Sequence, residues 1–304
     1  MLDLAPDDKL DSSNLHFADV GGVRTRYYED GRGEPLLLLH GGEFGSLYSL
    51  DCWSLNLTAL AKRSRVVAVD RLGQGFTDNP SSSAGYTYAA VLGHVVSFVE
   101  QVVREPVHVA GHSRGGLVAA SLALARPELV KRVMIVSSAT LAENPDQSTA
   151  SFYDAIARPG ARLPQGQLPT EEDVRVEPDA QAFNRQQVTV SFVRRMLEIA
   201  RRPETAQAGA VMETLGEAWH RDIDAERRRA SHMLTSRGLG VPTQVFWGRD
   251  DRSAQVDLAY SLFSRVARTT ADARLVIVNQ AGHYCFRDQP RAFEQAITTF
   301  CLGD

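Results

Sequence analysis

The feature that most constrains the fold of this chain is the segment 107–116, Val-His-Val-Ala-Gly-His-Ser-Arg-Gly-Gly. Its first four residues predict a short buried strand, and the residues from about 115 to 126 predict a helix. A serine on so sharp a strand-to-helix turn stands clear of the backbone, and Gly111 and Gly115 let the turn close without Cβ clashes. This context favours Ser113 as a nucleophile over an ordinary glycine-serine turn.

Strands and helices alternate on both sides of this turn. The predicted strands cover 17–19, 23–30, 36–39, 65–69, 107–110, 132–137, 243–247 and 274–278. The predicted helices of the same pattern cover 50–62, 87–104, 115–126, 254–267 and 290–301. Such alternation predicts an α/β fold with a mostly parallel eight-stranded sheet and helices on both faces.

The pattern changes between residues 141 and 240. Prolines are frequent there, the helical stretches are rich in charge, and no strand is predicted. We therefore predict that residues 1–140 and 241–304 form the two parts of an α/β core. Residues 141–240 are predicted to be an inserted helical lid.

Composition narrows the class of protein. The 304 residues are 43% hydrophobic and carry a net charge of −4, which allows a large core and gives no reason to expect nucleic acid binding. Cys52, Cys285 and Cys301 match no metal-ligand spacing. The polar N-terminus does not resemble a signal peptide, and no apolar run is long enough to span a membrane. A cytoplasmic protein is the expectation.

A serine hydroxyl needs a base, and that base needs an orienting carboxylate, in the chain order serine, acid, histidine. The strand 243–247 leads to Asp250 and Asp251, and both stay open as the acid, with Asp251 favoured; either could instead cap the next helix. The strand 274–278 leads to His283, the predicted base. The histidines at positions 16, 94, 108, 220 and 232 lack this context, and no metal site is predicted.

The oxyanion of an acyl-transfer intermediate needs two N–H donors. One is expected from the backbone of Arg114, directly after the serine, and the other from the His40-Gly41-Gly42 loop, at Gly42. A plain tight turn is the alternative for this loop. The glycine-rich turn 70–75 is interpreted as structural, because no Gly-Lys-Ser/Thr follows it.

These motifs together resemble the α/β-hydrolase superfamily. His-Gly-Gly at 40–42, Gly-His-Ser-Arg-Gly-Gly at 111–116, Gly-Arg-Asp-Asp at 248–251 and Gly-His at 282–283 carry the resemblance. Within the superfamily the chain is most similar to the meta-cleavage product hydrolases, which hydrolyse carbon–carbon bonds in aromatic degradation. The segments 70–80 and 247–252 add to that similarity.

The resemblance also implies a substrate site. The family's substrates are 2-hydroxy-6-oxo-2,4-dienoates, whose carboxylate is met by an arginine of the lid. Arg195 is the candidate here, because it shares one helix face with Val188, Phe192 and Ile199. The alternative is an arginine whose stem covers the edge of the core while its head reaches water.

Four further positions are expected to line the substrate pocket. Some residues at and beside these positions differ from those that the family often carries. The family often has asparagine before the serine, methionine after it and tryptophan after the histidine, where this chain has His112, Arg114 and Tyr284. Glu43 stands in a loop that is glycine-rich in the family. The predicted pocket residues are Gly41, Glu43, His112 and Tyr284, together with Arg195.

The implied activity is hydrolysis of a carbon–carbon bond without a cofactor. A carboxylesterase or lactonase using the same three residues is the alternative, and a third hypothesis is a small-molecule receptor that keeps the pocket. The expected partner is a small-molecule substrate. The sequence leaves the oligomeric state open, a homodimer or a higher homo-oligomer included.

Overall fold

The computed structural model describes residue 8 and residues 10–142 and 168–303. Eight strands of the described chain form one sheet in the order β1-β2-β4-β3-β5-β6-β7-β8. Their bounds are β1 Leu15–Val20, β2 Val23–Asp30, β3 Pro35–Leu39, β4 Arg65–Val69, β5 Val107–His112, β6 Val130–Val136, β7 Thr243–Gly248 and β8 Ala273–Val278.

The sheet is parallel except at one edge. Strand β2 pairs antiparallel with both β1 and β4, and every other neighbouring pair is parallel. The predicted α/β fold with a mostly parallel eight-stranded sheet is confirmed.

Helices cover both faces of this sheet. Their bounds are α1 Ser54–Ala61, α2 Tyr88–Phe98, α3 Arg114–Ala125, α4 Glu171–Gln181, α5 Val190–Ala200, α6 Pro203–Ser236, α7 Val256–Val266, α8 Cys285–Asp288 and α9 Pro290–Ile297. A 3-10 turn at Leu50–Trp53 precedes α1, and π-helical turns at Val99–Val103 and Thr298–Leu302 extend α2 and α9. No described helix has the length and the apolar character that a membrane span requires.

Strand β3 shows how the sheet divides the core into two layers. All five of its residues are buried, as expected for a central parallel strand. Because successive side chains point to opposite faces, Leu37 and Leu39 join the layer beneath α2, α3 and α7. Leu36 and Leu38 join the layer beneath α1 and α9.

The predicted lid begins at residue 141, and its stretch 143–167 lies outside the described residues. Helices α4 and α5, which we call the lid helices, pack against each other. Helix α6 continues from this region onto the core, where it packs against α2, α3 and α7. Its buried Ile223, Ala230 and Leu234 belong to the same apolar layer as the sheet. The lid boundaries at 141 and 240 stay a prediction.

The parallel register brings the predicted motifs to one edge of the sheet. Strands β3, β5, β7 and β8 all run in the same direction, so the residues that follow them lie at their common carboxyl edge. Open α/β sheets place their ligand sites at this edge. The loops after these four strands therefore form the candidate site.

Candidate active site

Ser113 occupies a strained turn between β5 and α3. Its φ of 54° and ψ of −123° lie in a region that residues other than glycine rarely adopt. The glycines beside it are required by space, because a Cβ on Gly111 would lie 2.1 Å from the carbonyl oxygen of Gly115. A Cβ on Gly115 would lie 2.5 Å from the carbonyl oxygen of Leu39. The Gly-x-Ser-x-Gly pattern thus allows the turn to pack against β3.

Hydrogen bonds fix the backbone of Ser113 on both sides. Its N–H donates to the carbonyl oxygen of Val136 at 2.9 Å. Its carbonyl oxygen accepts from the Ser138 hydroxyl at 2.6 Å and from the N–H of Gly116 at 2.9 Å. The residue is 9% exposed. The strained conformation is therefore held by neighbours from β6 and α3.

His283 and Asp251 form a buried hydrogen-bonded pair. The Nδ1 atom of His283 lies 2.8 Å from Oδ2 of Asp251. The other carboxylate oxygen of Asp251 accepts from the N–H groups of Ser253 and Ala254 and from the Ser253 hydroxyl, at 2.7–3.0 Å. A carboxylate only accepts hydrogen bonds, so Nδ1 carries the hydrogen and a neutral ring keeps Nε2 unprotonated.

The structure separates the two candidate acids. Asp250 is exposed, and its N–H donates to the carbonyl oxygen of Ala281. Its carboxylate accepts a long bond of 3.4 Å from the N–H of the same residue. Asp251, not Asp250, contacts His283.

Nε2 of His283 is buried and has no hydrogen-bond partner among the described residues. The hydroxyl of Ser113 is therefore not hydrogen-bonded to it in this structure. The two loops nevertheless pack together, because the rings of His283 and His112, the neighbour of Ser113, have centroids 4.5 Å apart. Catalytic hydrogen bonds are often loose without substrate and tighten in the complex.

A network of donors fixes the peptide between Gly41 and Gly42. The carbonyl oxygen of Gly41 accepts from Arg71 NH2 at 2.7 Å, from His40 Nδ1 at 2.8 Å and from Gln74 at 3.3 Å. In a trans peptide the C=O and the following N–H point in opposite directions. Anchoring this carbonyl therefore directs the N–H of Gly42 away from Arg71.

The same loop lies directly against the serine. A Cβ on Gly41 would come within 2.9 Å of the Ser113 Cβ. Gly42 has a φ of 82°, and a Cβ there would lie 2.4 Å from Ser46 Oγ and 2.6 Å from Tyr48 Cβ. Glycine at position 41 is therefore needed for the approach of this loop to Ser113, and glycine at position 42 for its packing on Ser46 and Tyr48.

Burial shapes the electrostatics of this loop. It lowers the pKa of Arg71 to about 9, and the charge of Arg114 adds to that effect. It also lowers the pKa of His40 well below its usual value. The N–H of Arg71 donates to Nε2 of His40 at 3.1 Å, so His40 is a neutral ring that donates through Nδ1. The turn 70–75 thus supports the glycine loop, in keeping with its structural interpretation.

Glu43 connects the serine turn to α6. Its Oε2 atom lies 3.1 Å from Arg114 NH2 and accepts from the Trp219 indole at 3.1 Å. His220 Nε2 is 3.8 Å from the same oxygen. Both ends of the Glu43–Arg114 pair are about 30% exposed, so the pair lies at an open face. Glu43 and the Arg114 guanidinium remain candidates for contact with a substrate.

His112 and Tyr284 lie deeper than sequence analysis expected. His112 is fully buried, and its Nε2 donates to the carbonyl oxygen of His283 at 3.0 Å. Burial lowers the pKa of His112 well below its usual value. Tyr284 is 1% exposed and stacks on Tyr48 with ring centroids 6.0 Å apart. These positions favour support of the histidine loop, and their substrate contacts stay a prediction.

Arg195 is engaged with carboxylates of the protein. Its Nε lies 3.3 Å from Oδ1 of Asp51, and its NH1 pairs with Glu198. It borders a surface cleft whose lining residues are Asp8, Leu10, Asp51, Ser54, Ser191, Phe192, Arg194, Arg195 and Glu198. Ser113 and His283 are not among them. The structure does not bring the Arg195 guanidinium into contact with the serine or the histidine.

Comparison with known proteins places this architecture in a family. The sequence matches the alpha/beta hydrolase fold family over residues 34–290. The chain belongs to this family. The predicted superfamily resemblance is therefore confirmed.

Relatives of this alpha/beta hydrolase match it over nearly their whole length. It is 27% identical over 286 residues to the 2-hydroxymuconate semialdehyde hydrolase of Pseudomonas sp. (strain CF600), covering 92% of this chain and 91% of that protein. It is 26% identical to the 2-hydroxy-6-oxo-6-(2'-aminophenyl)hexa-2,4-dienoic acid hydrolase of Metapseudomonas resinovorans, with 93% and 89% covered. The meta-cleavage product hydrolase of Pseudomonas fluorescens IP01 superimposes with a TM-score of 0.77 at 25% identity, with 96% and 99% covered.

Sequence analysis missed one carboxyl group of this alpha/beta hydrolase site. Glu177, on lid helix α4, accepts from the Tyr48 hydroxyl at 2.7 Å and from Gln181 at 2.9 Å. Burial raises its pKa, and the hydrogen bond from Tyr48 opposes that rise. Tyr48 packs against both loop glycines, so Glu177 belongs to the surroundings of Ser113. No sequence motif marks Glu177. Its position on one face of a charged helix is the only signal that could have indicated it.

Proposed function

We propose that this alpha/beta hydrolase cleaves a carbon–carbon bond in a 2-hydroxy-6-oxo-hexa-2,4-dienoate. The observation that carries a hydrolytic function is the buried pair of Asp251 and His283, which in a neutral ring makes Nε2 the proton acceptor at the edge where Ser113 stands. The full-length similarity to hydrolases of such dienoates supports the substrate class. The chemistry needs no cofactor.

Ser113 is proposed as the nucleophile and His283 as the base. The dienol first becomes a ketone, as a proton is added at C5 and the proton of the 2-hydroxyl group is released. His283 then accepts the Ser113 proton while the oxygen attacks the C6 carbonyl. The C5–C6 bond breaks, and its electrons form the enolate of a 2-hydroxypentadienoate, which takes up the proton held by His283. The acyl group stays on the serine. Water, deprotonated by His283, releases it as a carboxylic acid.

The oxyanion is proposed to be held by two backbone N–H groups. One belongs to Gly42, whose peptide is oriented by the anchored carbonyl of Gly41. The other belongs to Arg114, the first residue of α3, where helical N–H groups lack partners within the helix. Removing one such donor in a serine hydrolase slows turnover by about 100-fold or more.

The substrate carboxylate needs a cation, and two arginines are candidates. Arg195 would have to exchange its ion pairs with Asp51 and Glu198 for the substrate. Arg114 would have to exchange its pair with Glu43. A guanidinium presents two parallel donors to a carboxylate, so either exchange preserves charge pairing.

The ion pairs of Arg195 also favour a second candidate function, a carboxylesterase or lactonase. Ester cleavage uses the same serine, base and oxyanion donors but needs no fixed cation for a carboxylate. An enzyme whose lid arginine stays bound to protein carboxylates suits a neutral substrate.

The test is the turnover of two substrate types by the same preparation. We expect loss of the absorbance of 2-hydroxy-6-oxo-6-phenylhexa-2,4-dienoate and of its 6-methyl analogue, with kcat/KM at least about tenfold above that for 4-nitrophenyl acetate. A reversed ratio favours the esterase. Absence of turnover with every dienoate and every ester contradicts the hydrolytic proposal itself.

A further inference from the structure

Helix α8 follows directly after the proposed base and ends with an aspartate that contacts two distant segments. We propose that Asp288 is a positioning residue, which docks lid helix α4 onto the loop of His283. The proposal rests on the proposed function in one respect, the role of His283 as the base. The docking of α4 onto this loop rests only on contacts within the protein.

The Asp288 carboxylate accepts hydrogen bonds from three backbone N–H groups. Oδ2 accepts from Gly282 at 2.8 Å and from Phe183 at 3.1 Å, and Oδ1 accepts from Asn184 at 3.0 Å. Gly282 immediately precedes the proposed base, whereas Phe183 and Asn184 follow the end of α4. A single carboxylate therefore joins the histidine loop to the lid.

A second contact joins the same two segments without a side chain. The N–H of His283 donates to the carbonyl oxygen of Gln181, the last residue of α4, at 2.9 Å. The last four carbonyl groups of a helix lack partners within it, so this bond satisfies an otherwise unpaired acceptor. A Cβ on Gly282 would lie 2.2 Å from that oxygen, and only glycine allows the approach.

The neighbouring Arg287 fixes the adjacent part of the lid to the core. It is 1% exposed and donates to the carbonyl oxygens of Gln187 at 2.7 Å and of Cys52 at 2.9 Å. It also pairs with Asp8 at 3.2 Å. Helix α8 therefore holds the segment between the lid helices at two points, and Asp288 is the one that reaches the histidine loop.

The docking has a consequence for the base. Hydrogen bonds to an ionised acceptor are stronger than neutral ones, so the charge of Asp288 strengthens all three contacts. Exchanging the carboxylate for an amide removes that charge and puts an NH2 group where one oxygen accepted. The backbone at 282–283 then gains freedom, and a base displaced by a fraction of an ångström loses rate.

The experiment measures how fast diethyl 4-nitrophenyl phosphate inactivates the full chain, because this reaction reports the activated serine. Asp288→Asn is compared with Asp179→Asn, a matched change on α4 whose carboxylate pairs with Arg175. We expect the maximal inactivation rate of Asp288→Asn to fall by about tenfold with half-saturation unchanged. Asp179→Asn should stay within about twofold of the parent, because this carboxylate pairs with Arg175 and not with the backbone at 282–283.

Amide hydrogen exchange supplies a second readout that does not depend on activity. Asp288→Asn should speed exchange in 182–184 and in 282–283 together, because both segments lose the same acceptor. Gly282→Ala should do the same from the other side of the contact, and it replaces Asp288→Asn if that variant does not fold. An unchanged rate of inactivation, or faster exchange in only one of the two segments, overturns the proposal.

The failure of the proposed function gives a different result. His283→Ala, tested beside the other variants, should be inactivated far more slowly than the parent chain. If it reacts as fast as the parent, His283 is not the base and the proposed function fails, whatever the exchange data show. If it is slow while Asp288→Asn reacts like the parent, only the positioning proposal fails.

Discussion

The strand-end loops and the lid helices of this alpha/beta hydrolase hold their polar side chains in different ways. At the strand ends, Ser113, Asp251 and His283 have buried neighbours that fix their backbones and leave few alternative contacts. On the lid helices, Arg195 and Glu177 contact protein groups that a substrate could replace. The proposed bond-breaking groups are thus fixed by buried contacts, whereas Arg195, the candidate for contact with the substrate, is held by ion pairs that can exchange.

The largest effect should come from the rigid side of this comparison. Asp251→Asn keeps the shape of the side chain but removes the charge that orients His283, so kcat should fall by about 1,000-fold or more. Steady-state kinetics with 4-nitrophenyl acetate measures this. Asp250→Asn, one residue away and exposed, is the control and should stay near the parent value. Equal losses in both variants would contradict the assignment of the buried pair.

A smaller loss is expected when the support of the glycine loop is removed. Arg71→Met deletes two bonds to the carbonyl oxygens of Gly41 and Gly42, so the N–H of Gly42 loses its fixed direction. We expect kcat to fall by about 100-fold with KM changed little, because the oxyanion forms only after binding. Arg71→Lys keeps a donor and should recover part of the rate. A rise in KM alone would place the defect in binding instead.

The two candidate cations, Arg195 on a lid helix and Arg114 at the start of α3, predict a change in selection. Arg195→Gln and Arg114→Gln each remove one candidate cation, and the one that meets the substrate carboxylate should raise KM for the dienoate by about tenfold. KM for 4-nitrophenyl acetate, which has no carboxylate, should hardly change. Arg194→Gln, in the position directly before Arg195 on lid helix α5, is the control. If neither variant discriminates between the substrates, the esterase gains support.

The smallest effect concerns the free energy of unfolding. It comes from a neutral histidine of the core and not from the surface charges of the lid helices. Burial lowers the pKa of His94 to about 4, and Thr25 lies 2.8 Å from its Nε2. The unfolded chain therefore binds this proton at a higher pH than the folded chain, and the stability falls as pH drops from about 6.5 to 4. One pKa unit corresponds to about 1.4 kcal/mol, so the loss is at most roughly 3 kcal/mol.

Urea unfolding at pH 7.5 and pH 5 checks this prediction. His94→Gln keeps a donor for Thr25 and cannot take up the proton, so its stability should depend less on pH than that of the parent chain. Turnover at neutral pH should not change. An equal loss in both proteins would assign the acid sensitivity to other groups.

The site residues of the strand-end loops could be predicted from sequence because short local motifs indicate them. Glycine is required on both sides of Ser113, because a Cβ there would lie 2.1–2.5 Å from a carbonyl oxygen. The apolar run of each strand indicates where its carboxyl end lies. Asp250 and Asp251 could not be separated in this way, since adjacent loop residues differ only in where the turn directs them. The structure separates them through the contact with His283.

The lid contacts could not be predicted because they join residues far apart in the chain. Helical phase placed Arg195 beside the buried Phe192 and Ile199, but nothing in the sequence indicates its partner Asp51. Glu177 and Tyr48 are separated by 129 positions. Such pairs depend on how the lid helices lie on the core. No short sequence motif indicates that arrangement.

The central claim is that Ser113 is the residue that becomes acylated, with His283 as its base. Its most direct test is tandem mass spectrometry of the protein after reaction with diethyl 4-nitrophenyl phosphate. We expect one phosphoryl group on the peptide that contains Ser113, and its loss together with all hydrolysis in Ser113→Ala. A label on another residue, or undiminished hydrolysis by Ser113→Ala, would contradict it.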